Sequence, residues 1–275
     1  MDSPKPRTIV ARQIINHYNK YDESKRLQSD IGPLERVRTQ ELILQTIPSP
    51  PSVILDVGGA TGVYSFWLAG LGYDVHLVDI VPHHVEQALQ AAQDPGSPQL
   101  ASARVGDALD LEFEDEFADV VLMHGPLYHL PDRDDRLRAI AEAKRVLKPG
   151  GVFLAFAITR YAGLIYGLLK GSVFDPEYLR MIKNEVKTGR RENPPEWLFT
   201  FPQAYFHKPD ELKTEIEEAG MNYEATLGIL GPAWMVPDLE KSWNDPQQRE
   251  VILEISRLTE NEPSLGPRLM AIARK

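Results

Sequence analysis

The chain contains no cysteine, and this absence excludes several kinds of chemistry. Without thiols there is no disulfide, no thiolate nucleophile and no zinc or iron–sulfur site held by cysteine. The two adjacent histidines, His83 and His84, lack the spacing of a metal-binding pair and are interpreted as the start of a helix. We therefore expect no metal centre.

Long apolar runs and an excess of basic residues are also missing. No stretch has transmembrane length, and the polar start with Pro4 and Pro6 does not resemble a signal peptide. These absences predict a cytoplasmic protein with no membrane partner. The net charge is −10, and no Lys/Arg stripe is visible, so binding to nucleic acid is not expected.

Strands and helices alternate through most of the 275 residues, a pattern typical of a doubly wound parallel sheet. We predict an α/β, Rossmann-like sheet of seven strands whose last strand is antiparallel. The predicted strands are the run ending at Asp56, then Tyr73–Asp79, Leu100–Val105, Phe117–Met123, Val152–Ile158, Asn222–Ile229 and Arg268–Ala273.

This alternation, and the places where it stops, divide the chain into four predicted segments. Residues 1–50 form a tail, disordered over 1–11, and a helical cap broken at Gly32 and Pro33. Residues 51–158 form the Rossmann-like core, and 208–275 complete it with a second short insertion. Residues 159–207 are long for a connection and rich in aromatic side chains, which predicts a substrate lid.

A glycine-rich turn follows the first strand, within Val53–Ala69. Gly58, Gly59 and Gly62 permit sharp backbone geometry and close approach of a ligand. The N–H groups that open the next helix face the same place, which suits a nucleotide. The spacing is neither that of a P-loop nor that of a dinucleotide site.

This stretch resembles motif I of the class I S-adenosylmethionine-dependent methyltransferases. Asp56, Gly58 and Gly62 match the motif, while Ala60 stands where the family has a glycine. Two further resemblances come later in the chain: Phe117–Leu130 to motif IV, and Leu147–Gly151 with its strand to the late family signature. The resemblance covers 53–158 firmly and the two ends loosely.

The resemblance implies S-adenosylmethionine as the cofactor and assigns residues to it. In the family, the acid at the position of Asp79 accepts hydrogen bonds from both ribose hydroxyls, and the acid at the position of Asp107 accepts one from the adenine amino group. An aspartate after a strand also serves turns, so both interpretations of these acids stay open. The implied cofactor residues in the core are Asp56, Gly58, Gly59, Ala60, Gly62, Asp79, Ile80, Asp107, Ala108 and His124.

The start of the chain and the segment after the fourth strand resemble a bacterial-type branch that acts on small molecules. In that branch amino-terminal helices fold over the cofactor, which implies cofactor roles for Tyr18, Tyr21 and Arg26. An arginine there pairs with the methionine carboxylate of the cofactor, or else is a solvated helix residue.

Methyl transfer from a sulfonium needs a base only if the acceptor must lose a proton. His124, Tyr128 and His129 follow the fourth strand and are the catalytic candidates. The alternative is that His124 covers the cofactor and His129 caps the next helix. Arg160, Arg190 and Arg191, in the insertion, either meet an acidic substrate or carry exposed charge.

The sequence therefore predicts transfer of a methyl group to an O or N atom of a small molecule. Two alternatives stay open. One is an RNA or protein methyltransferase of the same fold, and the other is a regulatory protein that binds the cofactor without turnover. The sequence does not give the oligomeric state.

Overall fold

The computed structural model describes residues 6–20, 23–198 and 200–275, and the strands within them confirm the predicted sheet. The strands are β1 Val53–Val57, β2 Asp74–Asp79, β3 Ser102–Val105, β4 Ala118–His124, β5 Leu147–Ile158, β6 Arg190–Glu192, β7 Gln203–Tyr205, β8 Asn222–Gly228 and β9 Arg268–Arg274. Seven of them form one sheet in the order β3-β2-β1-β4-β5-β9-β8, and β6 and β7 form a separate hairpin.

Strands β1 to β5 are mutually parallel, and β9 runs antiparallel between β5 and β8. The last strand is thus antiparallel, as predicted. Residues 152–158 of β5 are all buried, as expected for a strand covered on both faces.

Helices cover both faces of this sheet. They are α1 Pro6–Tyr18, α2 Gly32–Thr46, α3 Val63–Gly70, α4 Pro82–Ala91, α5 Pro126–His129, α6 Arg133–Val146, α7 Ala162–Lys170, α8 Pro176–Thr188, α9 Pro209–Glu218, α10 Leu239–Asn244 and α11 Pro246–Leu258. Helices α6 and α9 contribute to the core on one face, and α2, α3 and α11 contribute to the core on the other. No helix in these described ranges is long and apolar enough to cross a bilayer.

The prediction of a disordered tail over 1–11 is wrong from residue 6 onward, because α1 begins at Pro6. Proline is compatible with the first helical position, where its missing N–H would have no partner in any case. The predicted break at Gly32 is present, and the 3-10 turn Glu23–Gln28 precedes it.

The insertion 159–207 holds more regular structure than its composition suggests. It contains α7, α8 and the β6–β7 hairpin. Gly167 allows α7 to approach the Tyr178 ring of α8, since a Cβ atom at Gly167 would lie 2.4 Å from Cε1 of that ring. The Tyr178 hydroxyl also donates a hydrogen bond to the Gly163 carbonyl at 2.7 Å.

Candidate functional site

A cavity opens at the carboxyl ends of β1, β2 and β4, where open α/β sheets bind ligands. It encloses about 960 Å³, its mouth included. Most of the predicted site residues line it together: Tyr18, Arg26, Asp56, Gly58, Gly59, Ala60, Asp79, Ile80, Asp107, Ala108, His124, Tyr128 and His129. Gly62 does not line it, and Tyr21 lies outside the described residues.

The glycine loop forms the floor of the cavity. Gly58 has φ +82°, and a Cβ atom there would lie 2.6 Å from the His124 carbonyl oxygen, so the loop requires glycine at this point. Gly62 has φ +88° and is the N-cap of α3, which gives it a structural role beside the cavity. Ala60 takes φ +48°, a conformation that costs an L-residue about 1 kcal/mol or more.

Asp79 is held by three donors. The backbone N–H groups of Ala60 and Val81 donate to its two carboxylate oxygens at 2.9 and 2.8 Å. His84 Nδ1 lies 3.3 Å from Oδ1. A carboxylate has about four acceptor sites, so Asp79 keeps capacity for a hydroxyl of a ligand.

Sequence reasoning missed His84, which is 2% exposed and lines the cavity. Its position on the first turn of α4, directly after the acidic strand end, was the available signal. Its Nε2 is buried without a hydrogen-bond partner.

The other two strand-end acids have internal partners. Asp56 is 1% exposed and accepts a hydrogen bond from the Ser65 hydroxyl at 2.6 Å. Burial raises the pKa of Asp56 to about 6. Asp107 accepts a hydrogen bond from the Leu109 N–H at 2.9 Å, a turn contact, and lines the cavity as well.

Arg26 is paired with two carboxylates rather than solvated. Its Nε lies 2.5 Å from Glu23 Oε1, and a terminal nitrogen lies 2.7 Å from Glu35 Oε1. Burial alone would raise the pKa of Glu35, but Arg26 and Arg268 outweigh burial and hold that pKa at about 2. Glu23 also lines the cavity, and the sequence analysis did not select it.

His124 lies stacked between two rings. Its ring centroid is 4.2 Å from that of Phe156 and 5.2 Å from that of Tyr64, with interplanar angles of 10° and 18°. Burial, helped by Arg26, lowers the pKa of His124 to about 3. The imidazole is therefore neutral and only weakly basic at pH 7.

His129 and Tyr128 are neutral at pH 7 as well. His129 Nε2 lies 2.9 Å from the Tyr18 hydroxyl, and burial lowers the pKa of His129 to about 3. Burial raises the pKa of Tyr128 to about 12. Asp132, not His129, caps α6, because the Asp132 side chain accepts a hydrogen bond from the Asp134 N–H.

One aromatic side chain of the insertion reaches the edge of this cavity. The Phe201 ring lies 4.4 Å from the His129 ring and 5.9 Å from the Tyr18 ring.

Two arginines of the insertion lie away from this cavity. Arg160 and Arg191 are buried and paired with Glu211 and Glu185, so they are neither exposed nor at the site.

Residues 55–155 match the family model described as a methyltransferase domain. The ubiquinone/menaquinone biosynthesis C-methyltransferase of Nitrobacter hamburgensis is 32% identical over 179 residues, which are 62% of this chain and 69% of that protein. The enzyme of the same name from Acidiphilium cryptum is 32% identical over 142 residues, 51% of this chain. The chain spans 55% of the length of that relative.

The fold has close counterparts among solved structures. The structure of an S-adenosylmethionine-dependent methyltransferase from Methanosarcina mazei superposes with a TM-score of 0.59 at 22% identity. The superposition covers 85% of this chain and 96% of the other. This likeness concerns the fold.

Proposed function

Since this chain belongs to the class I S-adenosylmethionine-dependent methyltransferases, with S-adenosylmethionine as its cofactor, we propose that it methylates a small molecule. The observation that carries the proposal is the cavity at the strand ends. It joins the glycine loop, Asp79 and Asp107 on one side to Tyr128 and His129 on the other.

The residues present fit the cofactor. The glycine loop leaves a cradle that a Cβ atom at Gly58 would fill, and Asp79 keeps an acceptor site for a ribose hydroxyl. We assign the adenine amino group to Asp107 and the carboxylate of the methionine part to Arg26. When bound, the cofactor supplies a methyl group on a sulfonium sulfur, whose S–C bond breaks as the acceptor's electron pair forms the new bond.

The side chains near the acceptor favour alignment over proton abstraction. Imidazoles with a pKa of about 3, as in His124 and His129, are weak bases, and a general base works best with a pKa near the working pH. Holding the reactants in line can supply about 7–11 kcal/mol of the barrier. We therefore propose that these residues orient an acceptor whose O or N atom is nucleophilic without a strong base.

The insertion 159–207 is proposed as the wall of the acceptor site. Its support is Phe201, whose ring contacts those of His129 and Tyr18 at the cavity edge. Carbon is the alternative reacting atom, because two relatives are named C-methyltransferases.

The test is methyl transfer from methyl-labelled S-adenosylmethionine into a cell extract separated into small molecules, RNA and protein. We expect label in the small-molecule fraction, and we expect excess S-adenosylhomocysteine to suppress it. Label confined to RNA or protein would contradict the proposed acceptor class. Cofactor binding with no label in any fraction would favour the regulatory alternative.

A further inference from the structure

The carboxylate of Asp79 has few acceptor sites, and the protein itself uses most of them. A carboxylate offers about four, two on each oxygen. Oδ1 accepts a hydrogen bond from the Val81 N–H at 2.8 Å and lies 3.3 Å from His84 Nδ1. Oδ2 accepts only from the Ala60 N–H among the described residues, at 2.9 Å. One acceptor site is therefore left for a ligand, and it lies on Oδ2.

The imidazole of His84 is the donor in its contact with Asp79. A ring nitrogen without hydrogen would set its lone pair against a carboxylate oxygen, so the proton belongs on Nδ1. The other nitrogen, Nε2, is buried and has no hydrogen-bond partner within the described part of the chain. The contact with Asp79 is thus the polar interaction that orients this ring.

The ring of His84 is also fixed by its surroundings. It stands on the first turn of α4, and its side chain is 2% exposed. The Tyr18 ring lies against it edge to face, with the centroids 5.0 Å apart at 71°. His84 lines the main cavity next to Asp79. A hydroxyl that approached Oδ1 from the cavity would have to displace this ring.

We infer that Asp79 binds one ribose hydroxyl of the cofactor, through Oδ2, and that His84 keeps the other hydroxyl from Oδ1. This differs from the pairing with both hydroxyls that the family resemblance implies. His84 is then a residue that determines specificity, because the site discriminates strongly at one ribose position and weakly at the other. The inference rests on the proposed assignment of the ribose to Asp79.

The test compares S-adenosylhomocysteine with its 2′-deoxy and 3′-deoxy analogues by calorimetric titration of the unaltered protein. One analogue is expected to bind at least about tenfold more weakly than S-adenosylhomocysteine, since it loses a hydrogen bond to a charged group. The other analogue is expected to lose less than about threefold, because its missing hydroxyl has no carboxylate partner.

Two variants of His84 separate its hydrogen bond from its packing. His84→Ala removes the donor and opens the space beside Oδ1, so both analogues should then bind at least about tenfold more weakly than S-adenosylhomocysteine. His84→Asn also shortens the side chain but keeps an N–H near the place of Nδ1, so the unequal losses should persist. His83→Ala, at the exposed neighbour on the same turn, is the matched control and should behave like the unaltered protein.

Equal losses for the two analogues in the unaltered protein would overturn the inference. So would unequal losses that persist in His84→Ala, or that disappear in His84→Ala and His84→Asn alike, because the second result would show a role in packing alone. A protein that does not bind S-adenosylhomocysteine would contradict the proposed function as well. That outcome is distinct from equal losses, which leave cofactor binding in place.

Discussion

Asp56 lies at the end of β1 with its carboxyl group buried, and this burial makes the stability of the protein depend on pH. Its pKa rises from 3.8 to about 6 because burial disfavours the charged form. A raised pKa in the folded state means that the stability contribution is complete below pH 4 and is lost as the pH rises through 6. Ionisation then costs the folded state about 3 kcal/mol, at about 1.4 kcal/mol for each pH unit between the two pKa values.

Asp56→Asn is expected to remove this cost, because the amide oxygen still accepts the Ser65 hydrogen bond and does not titrate. At pH 4 the two proteins should differ little from this cause. At pH 7 the free energy of unfolding of the variant should be higher, relative to the unaltered protein, by about 3 kcal/mol more than at pH 4. Urea denaturation across that range measures the difference, in which all other titrating groups cancel. Parallel curves for the two proteins would show that Asp56 is not titrating there.

Glu23 competes for the arginine that we assign to the carboxylate of the cofactor. It lies 2.5 Å from Arg26 Nε inside the main cavity. Glu23→Gln is expected to tighten S-adenosylhomocysteine binding by about three- to tenfold, since it removes a negative charge beside Arg26 that would repel the carboxylate of the ligand.

Methylthioadenosine, which lacks the carboxylate, is the matched ligand and should bind both proteins equally. Calorimetric titration measures all four affinities. An equal gain for both ligands, or weaker binding of S-adenosylhomocysteine, would contradict the role given to Arg26.

At the level of elements, the packing of α7 on α8 depends on one glycine. Gly167→Ala would bring a methyl group to 2.4 Å from Tyr178 Cε1, in a buried contact with no room to yield. We expect a loss of about 1–3 kcal/mol, the usual effect of overpacking. Urea denaturation measures it.

Gly70→Ala is the control for this substitution. Its Cβ atom would meet only the Pro98 side chain at 3.3 Å, and alanine favours helix. A similar loss in both variants would show that the contact with Tyr178 is not the cause.

The sheet was predictable because its strands are apolar runs separated by clear turn signals. All seven predicted strands are present, within a few residues of their predicted bounds. Helix α7 was not predicted, because Gly163 and Gly167 weaken the helical signal while serving a contact with α8 that only the fold reveals. The same limit applies to α1, where Pro4 and Pro6 favoured a disordered tail.

The sequence predicts a site residue well where that residue ends a strand. It predicts less where the ionisation or pairing of the residue depends on side chains from other segments. Asp79 and Asp107 stand at strand ends, so their place at the cavity follows from topology. The pairing of Arg26 with Glu23 and Glu35, and the low pKa of His124, depend on segments far apart in sequence.

At the scale of the whole molecule, a buried charge network joins the insertion to the core. Arg136 of α6 lies 2.6 Å from Glu215 of α9 and donates a hydrogen bond to the Leu130 carbonyl, beside the site, at 2.9 Å. Its guanidinium carbon lies 3.6 Å from the centroid of the Tyr205 ring of β7. His207, at the end of the insertion, is fully buried against Glu215.

Arg136→Met is expected to destabilise the protein by about 3–5 kcal/mol, because it leaves the Glu215 carboxylate buried and without its guanidinium partner. Arg138→Met is the control on the same helix, where an exposed side chain predicts a loss of about 0.5 kcal/mol or less. Equal losses in urea denaturation would show that the network does not connect these elements.

Calorimetric titration with S-adenosylhomocysteine tests the central claim most directly, namely that the strand-end cavity holds the cofactor. We expect binding in the micromolar range, weakened at least about tenfold by Asp79→Ala, since each lost hydrogen bond to a charged group is worth about 1.5–3 kcal/mol. Asp74→Ala, exposed at the other end of the same strand, should bind like the unaltered protein. No binding by the unaltered protein, or equal binding by the Asp79→Ala variant, would contradict the account.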